Sequence, residues 1–103
     1  MRLRVELIAL LAALCAAPVA AAGKPLAVCG EMGGRPLEAM ALIGLGIDRL
    51  SITPAAVGPV KAMIRSLDRA AITEEMARLL AHPVRDMRVA LGAWAATNGV
   101  ELA

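Results

Sequence analysis

The chain is poor in aromatic side chains: its 103 residues include no Phe, no Tyr and a single Trp, at position 94. Hydrophobic residues nevertheless make up 59% of the sequence, so a core would consist mainly of small aliphatic side chains and methionine. Such side chains bury little area per residue, and burial contributes only about 25 cal/mol per Å² of apolar surface. We therefore expect at most one domain, with low stability by itself.

Cysteine and histidine are also scarce. Cys15 and Cys29 are too few for a disulfide framework, and neither belongs to a Cys-x-x-Cys pair. His82 is the only histidine, and no serine or carboxylate is arranged around it, so we interpret it as a surface or helix-capping residue. Without a His/Cys cluster the sequence contains no recognisable zinc site, and we predict no metal site in this chain.

Charge is balanced along the chain, with a formal net charge of +2 and no run of basic residues. Without a basic stretch and stacking aromatics, no groove can follow a nucleic-acid backbone, so we predict no nucleic-acid binding. A membrane span needs about 20 apolar residues, and the apolar run at residues 7–17 is shorter, so we predict no membrane span either.

Residues 1–23 allow two interpretations. As an export signal they combine two early arginines, an apolar run and small residues for cleavage after residue 22, although Glu6 lies at the start of the run. As a helix packed on a sheet they have leucines at three- and four-residue steps, although Pro18 would kink or end that helix. The first interpretation predicts an exported protein and the second a cytoplasmic one.

A strand-helix-strand pattern follows this segment. Residues 26–29 form a short apolar run that predicts a buried strand with Cys29 at its carboxyl end. Pro36 opens an apolar helix that a glycine-rich cluster ends. Residues 49–53 alternate apolar and polar side chains, which predicts a second strand. We therefore expect an α/β fold with two parallel strands and a mostly helical remainder.

The chain after the second strand is predicted to be helical. Thr53 and Pro54 look like a cap and a first-turn proline, whereas the Gly-Pro pair at 58–59 is expected to restart the chain into a second helical piece. Lys61 and Arg65 are expected on its solvated face. Four apolar residues share the opposite face by their spacing: Val60, Met63, Ile64 and Leu67.

Two more helices are expected near the end of the chain. Thr73 is the predicted cap of the first, which must end at His82 because a proline follows. The second is predicted for residues 84–98, with Trp94 as an anchor on its apolar side. Gly99 provides the left-handed position at which such a helix ends.

Two motifs in this chain resemble a known family. They are VCGEMGGRPLEAMALIGLG and RLSITPAAVGPVKAMIRSLD, and they are similar to the carboxyl-terminal end of enzyme I of the bacterial phosphoenolpyruvate-dependent phosphotransferase systems, most of all its nitrogen-related form. The resemblance covers residues 23–102, with Gly33 standing where the family usually has alanine. It implies that residues 24–103 supply the last two strands of a PEP-utilising (β/α)8 barrel. A complete barrel needs about 250 residues, so the chain would be a piece of one.

The resemblance also implies chemistry. Cys29 matches the family's cysteine that acts as proton donor to the enolate carbon as pyruvate forms. An unperturbed thiol has a pKa of about 8.5, so it is protonated at neutral pH. Glu31 is a second candidate, for orienting the loop or the thiol. The family's phosphorylatable histidine, substrate-binding arginines and magnesium ligands lie in other regions, and His82 does not match that histidine in position or context.

Two functions are therefore open. The first is a segment of a phosphoenolpyruvate-protein phosphotransferase, which passes a phosphoryl group to a histidine of a phosphocarrier protein. Its partners would be the rest of the barrel or a full-length subunit, and magnesium would belong to the full-length enzyme, so the chain alone should be inactive. The second is a non-enzymatic interaction module, either an exported small helical protein or a fragment that docks on a full enzyme.

Overall fold

A computed structural model describes residues 27–29, 34–47, 49–82 and 84–102 of the chain. These residues form, in order, β1 (Ala27–Cys29), α1 (Pro36–Gly44), β2 (Arg49–Ser51), α2 (Pro54–Arg65), α3 (Arg69–Ala81) and α4 (Met87–Thr97). β1 and β2 pair in parallel. The predicted pair of parallel strands with a helical remainder is therefore confirmed, although β2 ends two residues earlier than expected. Residue 26, the predicted start of the first strand, lies outside the described residues.

The second strand separates a packed face from an exposed face. Leu50 is half-buried against the core, as is Ile52 just beyond the strand, whereas Arg49, Ser51 and Thr53 are exposed. This is the alternation that the sequence predicted, because successive side chains of a strand point to opposite faces.

Helix α1 begins and ends as the sequence predicts. Pro36 occupies its first turn, where a missing N–H costs nothing, and the helix ends at Gly44 within the glycine-rich cluster. Most of its length is buried, including Met40 and Leu42. Burial on nearly every side requires that other elements cover the helix on the side away from the sheet.

Helix α3 provides that cover at Gly44. A Cβ atom placed on Gly44 would lie 2.5 Å from Met76 Cγ and 2.9 Å from the Ile72 carbonyl oxygen. Only a residue without a side chain permits two helices to approach this closely. The fold therefore places α3 directly against the helix that joins the two strands.

The predicted break at Pro59 is wrong. Helix α2 is continuous from Pro54 to Arg65, with Pro59 inside it. Much of the usual clash involves the Cβ of the residue before proline, and here that residue is Gly58. Pro59 is also exposed, and so is Ala55, whose carbonyl would otherwise have accepted the missing hydrogen bond. Thr53 precedes the helix as predicted, but in the described structure its side chain makes no capping hydrogen bond.

The predicted apolar face of α2 is correct for three residues of four. Val60 and Met63 are buried and Leu67 packs against the core, but Ile64 is 45% exposed. A helix rotates by about 100° per residue, so Ile64 lies at the edge of the stripe on the side away from Met63. Lys61 and Arg65 are exposed, as predicted.

Thr73 is not the cap of α3. The helix begins four residues earlier, and Asp68 caps it by accepting a hydrogen bond from the Ala71 N–H at 3.2 Å. Thr73 lies within the helix and donates its hydroxyl to the Arg69 carbonyl at 2.8 Å. Aspartate is a stronger N-cap than threonine, so the earlier start is favoured. The helix ends before His82, as predicted, and His82 is exposed.

Helix α4 starts later than predicted, because Asp86 caps it by accepting a hydrogen bond from the Val89 N–H at 3.3 Å. Its carboxyl end agrees with the prediction: Gly99 follows with a φ of +69°. Trp94 is half-buried and packs against the core, which confirms its place as an anchor.

The core consists of methionine and aliphatic side chains, as the composition indicated. Its largest fully buried members come from all four helices and from the turn before β2; they are Met40, Leu42, Ile47, Met63, Ile72, Met76, Leu79 and Leu91. The described part is thus a small βαβ unit, extended by α2, on which α3 and α4 pack.

Candidate carboxyl-edge site

Cys29 lies at the carboxyl end of β1, where the sequence pattern predicted it. Its register partner across the sheet is Ser51, the last residue of β2. Because the two strands are parallel, both residues lie at the same edge of the sheet, which we call the carboxyl edge. Catalytic residues of barrels built from parallel strands come from this edge.

The segments that follow the two strands also meet near this edge. A Cβ atom placed on Gly34, just before α1, would lie 3.2 Å from the Cβ of Ala56 in the first turn of α2. The starts of α1 and α2 are therefore neighbours. Glu31 and the rest of the loop at 30–33 lie outside the described residues, and so do residues 1–23. The prediction for Glu31 and the two interpretations of the N-terminal segment are therefore not tested.

Hydroxyl groups distinguish this edge from the rest of the described structure. The chain has five hydroxyl side chains. Those of Ser66, Thr73 and Thr97 each donate to a carbonyl four residues earlier, and Ser66 also accepts a hydrogen bond from the terminal tail. Ser51 and Thr53 make no side-chain hydrogen bond to any described residue, and both are exposed. Sequence reasoning missed Ser51 as a site candidate, since only the strand register places it beside Cys29.

A buried ion pair supports the helix that starts at this edge. Glu38, in the first turn of α1, has only 4% of its side chain exposed and accepts a hydrogen bond from Nη1 of Arg88 in α4. A buried carboxylate needs such a partner, and the N-terminal end of a helix also favours negative charge. Sequence reasoning missed this pair: the lone carboxylate in an apolar helix was a signal, but nothing local indicates its partner.

Another ion pair lies within α3. Arg78 donates to Glu75 through Nε at 2.8 Å and through Nη2 at 2.6 Å. These hydrogen bonds, with the attraction of the carboxylate, raise the pKa of Arg78 above its ordinary value. The Arg78 side chain is 58% exposed, so this is a surface pair with no connection to the carboxyl edge.

An open groove lies at the opposite end of α2. It has a volume of about 540 Å³ and is lined by the last turn of that helix and by the terminal tail, where Ser66 Oγ accepts a hydrogen bond from the Glu101 N–H at 2.8 Å. A 12-residue helix is about 18 Å long, so this groove is well separated from Cys29. The groove lies beside the contact that holds the terminal tail, and it is not part of the carboxyl-edge site.

No metal site is formed by the residues that the structure describes, since they contain no group of three or more His, Cys, Asp or Glu side chains that could hold an ion. Within the same part of the chain, none of the helices combines the length and the apolarity needed to cross a bilayer.

Comparisons with known proteins agree with the motif resemblance. A family model described as PEP-utilising enzyme, PEP-binding domain matches residues 5–69, a span that includes both strands, α1 and α2. Multiphosphoryl transfer protein 1 of Escherichia coli (strain K12) is 40% identical over 52 residues, which are 50% of this chain and 6% of that protein. The phosphoenolpyruvate-protein phosphotransferase of Geobacillus stearothermophilus is 35% identical over 57 residues, which are 55% of this chain and 9% of that protein.

The matched region thus covers less than a tenth of the length of these relatives. No solved structure matches this chain.

Proposed function

The chain belongs to the PEP-utilising enzymes, in the family of their PEP-binding domain, and from this premise we propose that it is the carboxyl-terminal segment of a phosphoenolpyruvate-protein phosphotransferase. The family match over residues 5–69 is the observation that carries the proposal, because it spans the whole unit that contains the carboxyl edge. The relatives named as such a phosphotransferase and as multiphosphoryl transfer proteins support the same reaction class.

In this proposal β1 and β2 are the last two strands of a (β/α)8 barrel. The parallel pairing supports it, because barrel strands are all parallel and each is followed by a helix, as β1 and β2 are. The remaining strands would come from the rest of the enzyme, which would be the partner of this segment. A phosphocarrier protein would be the partner of the whole enzyme.

Cys29 is the proposed proton donor. Transfer of the phosphoryl group from phosphoenolpyruvate to a histidine leaves the enolate of pyruvate. In the next step the S–H bond of Cys29 breaks, the electron pair of the enolate forms a C–H bond at the methylene carbon, and sulfur keeps its pair as a thiolate. The place of Cys29 at the carboxyl end of a parallel strand supports this role. Glu31 would orient the loop that follows.

Magnesium does not fit the residues that the structure describes, since no cluster of ligand side chains occurs among them. The metal that the family uses would be bound by other parts of the enzyme, and so would the groups that hold the substrate. Phosphoryl transfer depends mainly on such positioning and charge stabilisation. The chain alone is therefore proposed to be inactive, and pyruvate release from phosphoenolpyruvate and magnesium should equal the buffer blank.

A cytoplasmic location belongs to the same proposal. The family match begins at residue 5, inside the segment that could otherwise be an export signal, and this supports the helix interpretation of residues 1–23. Mass spectrometry of the mature amino terminus is the test: a chain that starts at Met1 agrees with the proposal, and one that starts at Gly23 contradicts it.

A chimera tests the catalytic proposal. Residues 24–103 replace the corresponding segment of the Geobacillus stearothermophilus phosphotransferase, and pyruvate release with a phosphocarrier protein is measured. The chimera should be active, and Cys29→Ala should abolish turnover, because no other side chain would give the proton. Cys15, outside the exchanged residues, is absent from this experiment. Full activity of the Cys29→Ala chimera would contradict the proposed role.

A further inference from the structure

The register of the sheet places a second functional group beside the proposed acid. Cys29 and Ser51 are Cα partners across β1 and β2, and each is the last residue of its strand. Neighbouring strands lie about 4.8 Å apart, so the backbones of these two residues are direct neighbours at the carboxyl edge.

Ser51 is also available for such a role. It is exposed on the face of β2 that Arg49 and Thr53 share, away from the core contacts of Leu50 and Ile52. Within the described part of the chain its hydroxyl makes no hydrogen bond, whereas the hydroxyl of Ser66 bonds to two carbonyls of its own helix. A serine without a hydrogen bond to the described residues, in register with the proposed acid, has no evident packing function in that part of the structure.

We infer that Ser51 is a positioning residue for Cys29, with its hydroxyl stabilising the thiolate that forms when Cys29 gives up its proton; this inference rests on the proposed function of Cys29. A hydroxyl can donate one hydrogen bond, and a bond to the charged form of an acid favours that form. Ser51 would therefore make Cys29 a stronger acid.

The charged groups placed near this edge would act alongside the hydroxyl. Arg49 lies on the same exposed face two residues before Ser51, and Arg35 lies just before α1. A cation near a thiolate also favours the charged form. These arginines are unchanged in the variants below, so their influence on Cys29 is the same in each measurement.

The experiment measures the pH dependence of alkylation of Cys29 by iodoacetamide in the full 103-residue chain, because the thiolate is the reacting form. A Cys15→Ala background leaves one thiol to report. In Ser51→Ala the midpoint of the profile should move up by about one pH unit, which slows alkylation at neutral pH by about tenfold. Ser51→Thr keeps a hydroxyl and should stay near the parent profile.

Thr53→Ala is the matched control. Thr53 is also exposed and also makes no side-chain hydrogen bond among the described residues, but it lies beyond β2 and has no register partner among them. Its removal should leave the profile unchanged. Circular dichroism of each variant should match that of the parent. The midpoint pH of the parent profile should be lower in the folded chain than in urea, where the register is lost.

Three results would overturn the inference: no shift in Ser51→Ala, an equal shift in Thr53→Ala, or a parent profile identical to the one in urea. The measurement uses neither phosphoenolpyruvate nor turnover. An inactive chimera would therefore count against the proposed function, whereas an unmoved alkylation profile would count against the role of Ser51, and the two failures can be told apart.

Discussion

The segment that matches the family and the two helices beyond it begin their helices in different ways. In the described structure α1 and α2 open with a proline, and their N-cap residues make no capping hydrogen bond through their side chains. Helices α3 and α4 open with aspartate caps, Asp68 and Asp86. Capped ends are stabilised locally. The first segment therefore depends more on contacts made elsewhere in the chain.

Those contacts come largely from the second region. Helix α3 approaches α1 at Gly44, and Arg88 of α4 pairs with Glu38 of α1. The residues at the carboxyl edge lie in the first region, and much of the cover that holds α1 lies in the second. The helices outside the matched span therefore support the unit proposed to carry the chemistry.

Truncation of the core in α4 should have the largest effect on stability if the second region supports the first. Leu91 is fully buried, so Leu91→Ala leaves a cavity and should lower the free energy of unfolding by about 2–5 kcal/mol. Val89, in the same helix, is 67% exposed, and Val89→Ala should change it by less than about 0.5 kcal/mol. Urea unfolding followed by circular dichroism measures both; equal stabilities would mean that α4 does not support the core.

A change at Gly44, where the two regions meet, should have the next largest effect on the free energy of unfolding. Gly44→Ala brings a methyl group within 3 Å of Met76 and of the Ile72 backbone, so α1 and α3 must move apart. Overpacking of this kind costs about 1–3 kcal/mol, and the backbone contact puts this site near the upper end. Gly92→Ala in α4 has open space around the new methyl and should stabilise the helix by about 0.5–1 kcal/mol. Thermal unfolding shows whether the two changes have opposite signs.

The ion pair between Glu38 and Arg88 also joins the two regions. Arg88→Met leaves Glu38 buried without its partner, a loss worth about 3–5 kcal/mol when both groups are buried. Because the Arg88 side chain is 42% exposed, we expect roughly half of that, about 2 kcal/mol, from urea unfolding. Arg78→Met removes the surface pair with Glu75 and should leave the unfolding midpoint unchanged. A similar loss in both variants would show that the pair between α1 and α4 has no special role.

The caps should have the smallest effect and test the contrast directly. Asp68→Ala and Asp86→Ala should each lower the free energy of unfolding by about 1 kcal/mol, because each removes a hydrogen bond to the first turn of its helix. Thr53→Ala should have almost no effect, since the Thr53 side chain makes no capping bond in the described structure. The difference would disappear if Thr53→Ala were as costly as the two aspartate changes in thermal unfolding.

Features with a local cause were predicted well from the sequence. Pro36 and Pro54 mark the starts of α1 and α2, and the proline after His82 ends α3 where expected. The apolar run before Cys29 indicated a strand with that residue at its carboxyl end. In each case a few neighbouring residues decide the backbone, through a fixed φ, a missing N–H or an apolar run.

The errors arose where several local signals compete. Pro59 predicted a break, but Gly58 before it and the exposed position permit a continuous helix. Thr73 was a reasonable cap by itself, yet Asp68 is a better one a few residues earlier. The exposure of Ile64 depends on which side of α2 the core lies, and the spacing of apolar residues defines that side only approximately.

By itself the sequence determined the order of the strands and helices, the family and the place of Cys29 at a strand end, because these depend on short motifs and neighbouring residues. Only the tertiary structure decided that Ser51 is the register partner of Cys29, that Gly44 contacts α3, and that Glu38 pairs with Arg88, a residue 50 positions away in the chain. Such pairings arise when distant segments bury their apolar faces together, and no local preference encodes which residues then meet.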